Sequence, residues 1–335
     1  MKVLFFQQRG VKYGSIQILF DIIRQHLPSY VEKKEMYFRH EGLSGIKKIK
    51  HIYSVSTIEK GDVNHSVGEI TYAVIFMKKK KTILTIHDIY RLYNSTGFKK
   101  LIYKWIWLKI PIARVGYITA ISNTTKNEIL KYVNIAPSKI RVIYNCVSPN
   151  FLPAPATFNK KKPVLLQVGI WPQKNLNRVI QAIAGISCKL NIVGKPTEEN
   201  LALLKKHEID FSWKTELTQA EIIQQYVDCD IVVFASLFEG FGVPIIEGNA
   251  TERVVITSNC SAMVEVAGDA ACLVDPLDIL SIRAGILKVI SDDDYRLQLI
   301  AAGRENKKRF EATFIANQYA ALYEEVCANN NKAMV

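Results

Sequence analysis

A ten-residue segment, Phe-Glu-Gly-Phe-Gly-Val-Pro-Ile-Ile-Glu at positions 238–247, constrains the fold more than any other part of the sequence. The run just before it, residues 230–235, is short, apolar and rich in β-branched side chains, which is typical of a buried strand. Pro244 suits the first position of a helix, because its missing N–H would have no partner there in any case. The segment therefore predicts a strand, a glycine-containing loop and a helix start, as in a parallel α/β sheet.

The same segment carries two carboxylates, Glu239 and Glu247, eight positions apart, with Gly240 and Gly242 between them. Glycine lets the backbone approach a ligand closely, and a helix start presents unpaired N–H groups to an anion. Glu247, expected in the first helical turn, would accept hydrogen bonds from hydroxyls beside that anion. A phosphate next to hydroxyl-binding carboxylates describes a nucleotide-sugar site. For the glycines alone, an ordinary strand-to-helix turn is an equally good explanation.

The full pattern closely resembles the Glu-x7-Glu signature of the retaining glycosyltransferases of family 4, which have the GT-B fold. The resemblance continues through residues 258–270 and 274–276, and it reaches back to residues 168–169 and 174–175. It covers most of residues 163–310 and extends more weakly over the N-terminal half. It implies an α/β chain of GT-B architecture, with two Rossmann-like, doubly wound domains facing a cleft. In that family the second domain binds the donor and the first binds the acceptor.

Length and pattern divide the chain in two. At 335 residues it suits two domains of roughly 150 residues each, and alternating apolar and amphipathic stretches favour parallel α/β units. Prolines and three consecutive lysines near residues 150–162 break both periodicities and predict a linker. We therefore assign residues 1–150 to an acceptor-side domain and 151–312 to a nucleotide-sugar-binding domain. By the family resemblance, residues 313–335 form a helix that crosses back onto the first domain.

The apolar runs predict the individual elements. The strands expected in the first half are 3–6, 82–86, 117–121 and 141–144, with a first helix over residues 14–27. The strands expected in the second half are 164–168, 190–193, 231–235, 254–257 and 272–274. Thr218 and Glu221 have the spacing of a capping box, which predicts the start of the helix that precedes the 231–235 strand.

Several further residues are expected to bind the donor. Lys174 again follows a strand, and its charge could stabilise a diphosphate as the sugar departs. Family members commonly carry an arginine near this lysine, where this sequence has Ile170 and Gln173. A surface lysine in a turn is the alternative. The donor-binding residues that the resemblance implies are Gly14, Gly169, Lys174, Phe241, Gly242, Val243 and Glu247.

His87 and Glu239 are the candidate catalytic residues. His87 follows the predicted 82–86 strand, and the resemblance implies that it contacts the donor sugar near the reacting carbon. Glu239 would bind hydroxyls of that sugar. Asp88 is expected to cap the turn that follows His87.

The charge is unevenly distributed along the chain. The net charge is +13, but residues 1–150 hold 25 Lys and Arg against 9 Asp and Glu, so this half carries +16. Such an excess predicts a polyanionic partner, either nucleic acid or an anionic membrane surface. Trp105 and Trp107 lie among lysines, which suits a membrane interface, although a helix packed on its domain is an equally good explanation. Since no nucleic-acid-binding motif is recognisable, we expect the membrane and no nucleic acid.

Other classes are not expected. No run of ~18 apolar residues is present, and the first apolar stretch is too short for a signal peptide. The six cysteines form no Cys-x-x-Cys pair, which favours reduced thiols and no zinc site. Asp228 and Asp230 spell the Asp-x-Asp by which GT-A glycosyltransferases hold Mn²⁺, but their expected position at the amino end of a strand argues against a ligand role. We therefore expect no metal and no cofactor, and a cytoplasmic or peripheral inner-membrane location.

These inferences combine into one function. The sequence predicts a retaining hexosyltransferase that moves a sugar from a UDP- or GDP-sugar to an acceptor hydroxyl. A lipid-linked saccharide is the expected acceptor, as in capsule or lipopolysaccharide biosynthesis. Two alternatives stay open at this point: a sugar-nucleotide epimerase of GT-B fold, and a basic nucleic-acid-binding protein.

Overall fold

The structure is a computed structural model that describes residues 1–9, 15–39, 45–57, 61–68 and 71–332. It divides into two compact units. Unit 1 comprises Met1–Cys146 together with Ala312–Val335, and unit 2 comprises Val147–Glu311. The boundaries expected from the sequence, after residues 150 and 312, lie close to these.

Unit 1 is built on a parallel sheet, which has six strands among the described residues, in the order β2-β1-β3-β4-β5-β6. The strands are β1 Lys2–Arg9, β2 Glu32–Arg39, β3 Val63–Ser66, β4 Thr82–Ile86, β5 Tyr117–Ala120 and β6 Ile140–Val142. The α-helices are α1 Ser15–His26, α2 Gly45–Thr57, α3 Tyr90–Tyr93, α4 Gly97–Ile102, α5 Ile110–Ala113 and α6 Asn123–Leu130. A π-helix, Tyr103–Lys109, joins α4 to α5, and 3-10 turns span Thr71–Phe76, Lys79–Lys81 and Pro137–Lys139.

Unit 2 contains a second parallel sheet of six described strands, in the order β12-β11-β10-β7-β8-β9. The strands are β7 Val164–Val168, β8 Lys189–Val193, β9 Asp210–Lys214, β10 Ile231–Phe234, β11 Val254–Ser258 and β12 Cys272–Val274. The helices are α7 Leu176–Ala182, α8 Glu198–Lys206, α9 Gln219–Val227, α10 Val243–Ala250, α11 Ala262–Ala267, α12 Ile279–Ser291 and α13 Asp293–Asn306, with 3-10 turns at Pro172–Lys174 and Lys307–Phe310. The last helix, α14 Ala312–Lys332, belongs to unit 1.

Both faces of the unit 1 sheet are buried, as expected of a doubly wound fold. Val3 and Phe5 pack on one face with residues of α1 and α14, whereas Leu4 and Phe6 pack on the other. This division follows from the two-residue period of a strand, which sends successive side chains to opposite faces. Unit 2 has its own core, in which β7, β10 and β11 pack against α7 and α12.

The strand order determines where each sheet offers a ligand site. In unit 2 the chain winds outward from β7 through β8 and β9, and then from β10 through β11 and β12. The order therefore reverses between β7 and β10. In open α/β sheets, ligands bind beyond the carboxyl ends of the strands at such a switch point. The loops after β7 and β10 are thus the expected binding loops of unit 2.

Most of the predicted elements are confirmed. The strands at 82–86, 164–168 and 272–274 match β4, β7 and β12, and Thr218 and Glu221 form the predicted capping box at the start of α9. The sequence missed β2 and β9, which lie at sheet edges and carry several exposed charges, so that they lack an apolar run. It also missed β3, Val-Asn-His-Ser, which is fully buried but mostly polar.

The predicted first helix, residues 14–27, corresponds to α1, whose first residue is Ser15. Gly14 lies outside the described residues. Within the part of the chain that the structure describes, no helix combines the length and the apolar character needed to cross a bilayer.

Candidate donor-binding site

The loop after β7 presents Lys174. Gly169 has φ +89°, and a Cβ there would lie 3.2 Å from the Lys174 side chain, so glycine leaves room for the lysine to lie across the turn. The buried Gln167 donates hydrogen bonds to the carbonyls of Gly169 (3.3 Å) and Lys174 (3.0 Å). Gln167, which lies in β7, therefore anchors the backbone of the loop, and this fixes the position of Lys174.

The loops after β7 and β10 are tied to each other. Asn175 has a left-handed φ of 62°, and its buried amide donates to the carbonyls of Ala235 (2.9 Å) and Pro276 (2.7 Å). The Leu237 N–H donates to the carbonyl of Gln173 at 2.7 Å. These bonds join the segments that carry the candidate residues into one surface.

Lys174 and Glu239 form an ion pair, with 2.7 Å between Nζ and Oε1. Both side chains are less than a fifth exposed, at 18% and 16%, so water screens this pair less than a surface pair. The Lys174 ammonium also lies 4.6 Å from the centre of the Phe234 ring. Ser261 fixes the Glu239 backbone, since its hydroxyl accepts from Glu239 N (3.2 Å) and donates to Glu239 O (2.7 Å).

Gly242 is the N-cap of α10, with φ +114°, and α10 begins at Val243. Pro244 is thus the second helical residue. An N–H at this position would have no acceptor within the helix, so the missing N–H of proline costs no hydrogen bond. The expectation that Glu247 lies in the first helical turn is wrong, because it is the fifth residue of α10. Its side chain therefore projects from the second turn, behind the N–H groups of the helix start.

Phe241 and Val243 flank that N-cap. The Phe241 ring is buried edge-to-face against Phe310, with 5.6 Å between ring centres. Its side chain thus contributes to the core, and a contact with a ligand would have to come from its backbone. Val243, at the first helical position, is half-buried.

Glu247 accepts a hydrogen bond from the hydroxyl of Tyr226, 2.5 Å from its Oε2. Tyr226 is fully buried near the end of α9. Burial raises the pKa of Glu247 to about 7, and the Tyr226 hydroxyl and the Lys174 charge act in the opposite direction. The pKa of Tyr226 is raised well above its ordinary value by the same burial and by the nearby carboxylate.

His87 lies in unit 1, directly after β4. The Nε2 of His87 lies 3.0 Å from the Val67 carbonyl oxygen. Because a carbonyl oxygen can only accept, Nε2 carries the proton and donates this bond. The Asp88 carboxylate accepts from Tyr90 N at 2.9 Å, which confirms the predicted cap. A small cavity of about 80 Å³ adjoins His87 and is also lined by Thr71, Arg91, Tyr103 and Trp107.

The Asp-x-Asp motif lies where the sequence predicts it, between α9 and β10 at the amino end of the strand. The Asp230 carboxylate accepts from the backbone N–H groups of Asn159 (3.1 Å) and Val164 (2.7 Å). Asp228 accepts from the Gln224 amide at 2.7 Å. Both carboxylates thus have structural partners. Among the described residues, His, Cys, Asp and Glu form no group of three or more placed to hold a metal ion.

Four residues that hold the site were given no role from the sequence: Gln167, Asn175, Tyr226 and Ser261, although Asn175 and Ser261 lie within the segments that carry the family resemblance. Each acts through a contact with a residue distant in the sequence or with a backbone group. A buried polar residue at the end of a strand was the available signal for Gln167. Nothing local marks Tyr226, whose partner Glu247 is 21 positions away.

Comparison with solved structures supports the architecture. The crystal structure of Anabaena HepE in complex with UDP and glucose matches this chain with a TM-score of 0.79 and 16% identity, over 97% of this chain and 100% of that chain. At this identity the similarity shows the fold, which is GT-B.

Two family models match the sequence in succession. Residues 22–151 match Glycosyltransferase Family 4, and residues 150–306 match Glycosyl transferases group 1. The chain belongs to the family 4-like GT-B glycosyltransferases. The resemblance stated from the Glu-x7-Glu motif is thereby confirmed, as is the assignment as an enzyme.

Two curated bacterial relatives are informative. The O-antigen chain mannosyltransferase RfbU of Salmonella typhimurium is 30% identical over 230 residues, which are 65% of this chain and 63% of that protein. The serotype-specific mannosyltransferase WbdA of Escherichia coli is 23% identical over 260 residues, 69% of this chain and 32% of that protein. The match thus spans less than two thirds of the length of either relative. These comparisons do not favour the epimerase or the nucleic-acid-binding alternative.

Proposed function

We propose that this glycosyltransferase moves a hexose from a UDP- or GDP-sugar to a saccharide acceptor, with retention of configuration, in the biosynthesis of a lipopolysaccharide O-antigen or a similar surface polysaccharide. The observation that carries the proposal is the cluster at the switch point of unit 2. There Lys174 is paired with Glu239, and Glu247 is held one helical turn inside α10. RfbU and WbdA are named mannosyltransferases, and HepE was crystallised with UDP and glucose, which agrees with this class of donor.

The residues of the cluster receive distinct roles. The helix start at Gly242 and the Lys174 ammonium would bind the diphosphate, because both present positive charge or N–H donors to an anion. Glu247 would accept hydrogen bonds from the ribose hydroxyls, and Glu239 from hydroxyls of the donor sugar. From the sequence resemblance, we further propose that His87 acts near the anomeric carbon.

Retention would follow from reaction on one face of the sugar. In this proposal the departing diphosphate helps to remove the proton of the acceptor hydroxyl, so that no carboxylate nucleophile is required. The charge that grows on the diphosphate would be stabilised by Lys174 and by N–H groups at the start of α10. We propose that this arrangement works without a metal ion or another cofactor.

We also propose that unit 1 binds an anionic membrane surface and that the acceptor is lipid-linked. The segment from α4 to α5 exposes several large apolar side chains: Phe98 (77%), Leu101 (49%), Trp105 (47%), Ile106 (40%) and Ile110 (38%). The Lys109 ammonium lies 4.7 Å from the Trp105 ring centre. Apolar side chains combined with nearby lysines, in the half of the chain that carries +16, suit an anionic lipid surface. Trp107 instead packs against Tyr72 and Tyr103.

The first experiment measures donor binding. Thermal shift with a panel of UDP- and GDP-sugars should identify the donor, because a ligand at 100 times its Kd adds ~2.7 kcal/mol to the free energy of unfolding. Calorimetry with UDP and with GDP then gives the affinity for the nucleotide alone. If neither a nucleotide nor any sugar nucleotide binds, the proposed donor class is wrong.

The second experiment measures transfer. The protein is incubated with the identified donor, which carries a radiolabelled sugar, and with bacterial lipid-linked saccharides. One reaction contains excess EDTA, and the other contains EDTA with Mn²⁺ added in excess over the EDTA. We expect labelled lipid under both conditions. NMR of the product should show that the transferred sugar keeps the anomeric configuration that it had in the donor. Activity that is lost in EDTA and restored by Mn²⁺ would contradict the metal-free mechanism. Sugar isomerisation without acceptor would support an epimerase instead.

A further inference from the structure

Tyr226 is placed to control the carboxylate of Glu247. Its hydroxyl donates to Oε2 at 2.5 Å. Among the described residues, the Glu247 carboxylate makes no other hydrogen bond. A carboxylate has two oxygens, each able to accept about two hydrogen bonds. With Oε2 engaged by the phenol, Oε1 is left to accept from a ligand.

The phenol itself is held on several sides. The Phe151 ring packs edge-to-face on Tyr226, with 5.3 Å between ring centres. The buried guanidinium of Arg253 donates to the carbonyls of Tyr226 (3.0 Å) and Val227 (2.7 Å), which fixes the end of α9. Two further Arg253 bonds, to the carbonyls of Ala154 (2.6 Å) and Thr251 (3.1 Å), anchor the guanidinium. Tyr226 is therefore a rigid support for the carboxylate.

We propose that Tyr226 is a positioning residue of the nucleotide site, which orients the Glu247 carboxylate toward the ribose hydroxyls of a ribonucleoside diphosphate. This inference rests on the proposed function, because it assumes that the cluster binds a nucleotide. It goes further by assigning to a residue outside the Glu-x7-Glu motif the preference for a ribose over a deoxyribose. When the carboxylate is held in the right orientation, removing the ribose hydroxyl costs a nucleotide more affinity than it does when the carboxylate rotates freely.

The ionisation of Glu247 gives a second consequence. The groups that act on its pKa are the Tyr226 hydroxyl from α9 and the Lys174 ammonium from the loop after β7, and both lower it. Tyr226→Phe removes one of them, so the pKa of Glu247 should rise above its value of about 7. Because the ionised carboxylate is the better acceptor, nucleotide binding in this variant should require a higher pH than in the wild type.

The test compares Tyr226→Phe with the wild type by calorimetry, using UDP with 2′-deoxy-UDP and GDP with 2′-deoxy-GDP. For the nucleotide that binds the wild type, we expect about a 3- to 10-fold weaker affinity for the ribonucleotide, the range of one lost hydrogen bond. We expect a much smaller loss for the deoxynucleotide, so that the ratio of the two affinities falls. The midpoint of the pH dependence should move upward.

The matched control is Tyr295→Phe, which removes the other phenol hydroxyl of unit 2. It should change neither the ratio nor the pH midpoint. The double variant Tyr226→Phe/Glu247→Ala tests whether Tyr226 acts through Glu247, because alanine leaves the phenol no acceptor at this position. In the Glu247→Ala background, Tyr226→Phe should have no further effect on the ratio.

The possible outcomes separate the two proposals. If the wild type binds neither UDP nor GDP, the proposed function fails and this inference with it. If the wild type binds a ribonucleotide but Tyr226→Phe weakens ribo- and deoxynucleotide equally, Tyr226 has only a structural role and the inference alone is overturned. An unchanged ratio, or an effect that persists in the Glu247→Ala background, overturns it in the same way.

Discussion

Two glutamates of one loop-helix segment have different surroundings, although the sequence presents them as a symmetrical pair. Glu239 is paired with Lys174, and Glu247 with the uncharged phenol of Tyr226. A carboxylate paired with an ammonium and one held by a buried hydroxyl will differ in how they respond to substitution.

At the residue scale, we predict that substitution of one glutamate affects nucleotide binding and substitution of the other affects turnover. Glu247→Ala should weaken binding of the nucleoside diphosphate by ~1.5–3 kcal/mol, the loss of a charge-assisted hydrogen bond. Glu239→Ala should lower turnover while leaving that affinity unchanged or stronger, because the Lys174 charge is then fully available to the phosphates. Calorimetry and steady-state kinetics measure the two effects.

The matched control for these variants is Glu305→Ala, which removes an exposed carboxylate of unit 2 paired with Lys308. It should change neither affinity nor turnover. Unchanged nucleotide affinity in Glu247→Ala would contradict the ribose assignment.

At the element scale, the start of α10 depends on a glycine that no other residue replaces without strain. Gly242 has φ +114°, and a Cβ there would lie 3.0 Å from Ile245 Cδ1. We predict that Gly242→Ala lowers the free energy of unfolding by ~1–3 kcal/mol and also weakens nucleoside diphosphate binding, because the N–H groups of the helix start must shift. Chemical denaturation and calorimetry measure the two quantities.

Gly185 provides the control, since it has φ +71° and a Cβ added there would meet no other atom within 4 Å. Gly185→Ala should lower stability by the backbone strain alone, ~1–2 kcal/mol, with unchanged nucleotide binding. Equal effects of the two substitutions on binding would show that the geometry of the α10 start is not used for the diphosphate.

The segment from α4 to α5 is the element on which membrane binding depends. We predict that the protein floats with anionic vesicles at low salt and is released at high salt, since each basic group near the surface contributes ~1 kcal/mol. Trp105→Ser should weaken this binding. Trp213→Ser removes a tryptophan of similar exposure (42%) from unit 2 and should not. Equal flotation of the two variants would indicate that the segment is not the contact.

At the scale of the whole molecule, the chain returns from unit 2 to complete unit 1. Tyr319 and Tyr323 of α14 are fully buried in the unit 1 core, where the Tyr323 hydroxyl bonds His65 Nδ1 at 2.8 Å. The other nitrogen of His65 bonds Thr85 Oγ1 at 2.7 Å. This network joins β3, β4 and α14, so that residues 258 positions apart stabilise one another.

Two buried groups, His65 in unit 1 and Glu247 in unit 2, respond to pH in opposite directions. Burial lowers the pKa of His65 to about 3, so its contribution to stability is present above pH 6.5 and is lost as the pH falls toward 3. Burial raises the pKa of Glu247 to about 7, so its contribution is present below its ordinary value of 4.5 and is lost as the pH rises through 7. Acidification therefore destabilises unit 1 through His65 and stabilises unit 2 through Glu247.

We predict that between pH 7.5 and pH 5 unit 1 loses and unit 2 gains ~2–3 kcal/mol of local stability from these groups. Amide hydrogen exchange, read separately for peptides of each unit and corrected for the intrinsic rate, measures both. Glu247→Gln should remove the gain in unit 2 and leave unit 1 unaffected. A gain that persists in this variant would assign the effect to other groups.

The sequence by itself determined the two-domain α/β fold and the strands with apolar runs, and it singled out Lys174, Glu239, Gly242 and Glu247 as candidates for the donor site. It could do so because buried parallel strands require apolar residues and a helix-start loop requires glycine, and both are local requirements. The edge strands β2 and β9 escaped prediction because a strand paired on one side can remain polar.

Only the tertiary structure decided how these residues act together. It placed Lys174 against Glu239 and Tyr226 against Glu247, and it moved Glu247 from the expected first turn to the second. These facts depend on which loops lie side by side at the switch point of the sheet. Strand order sets that proximity, and strand order arises from packing between residues far apart in the chain, which leaves no local mark in the sequence.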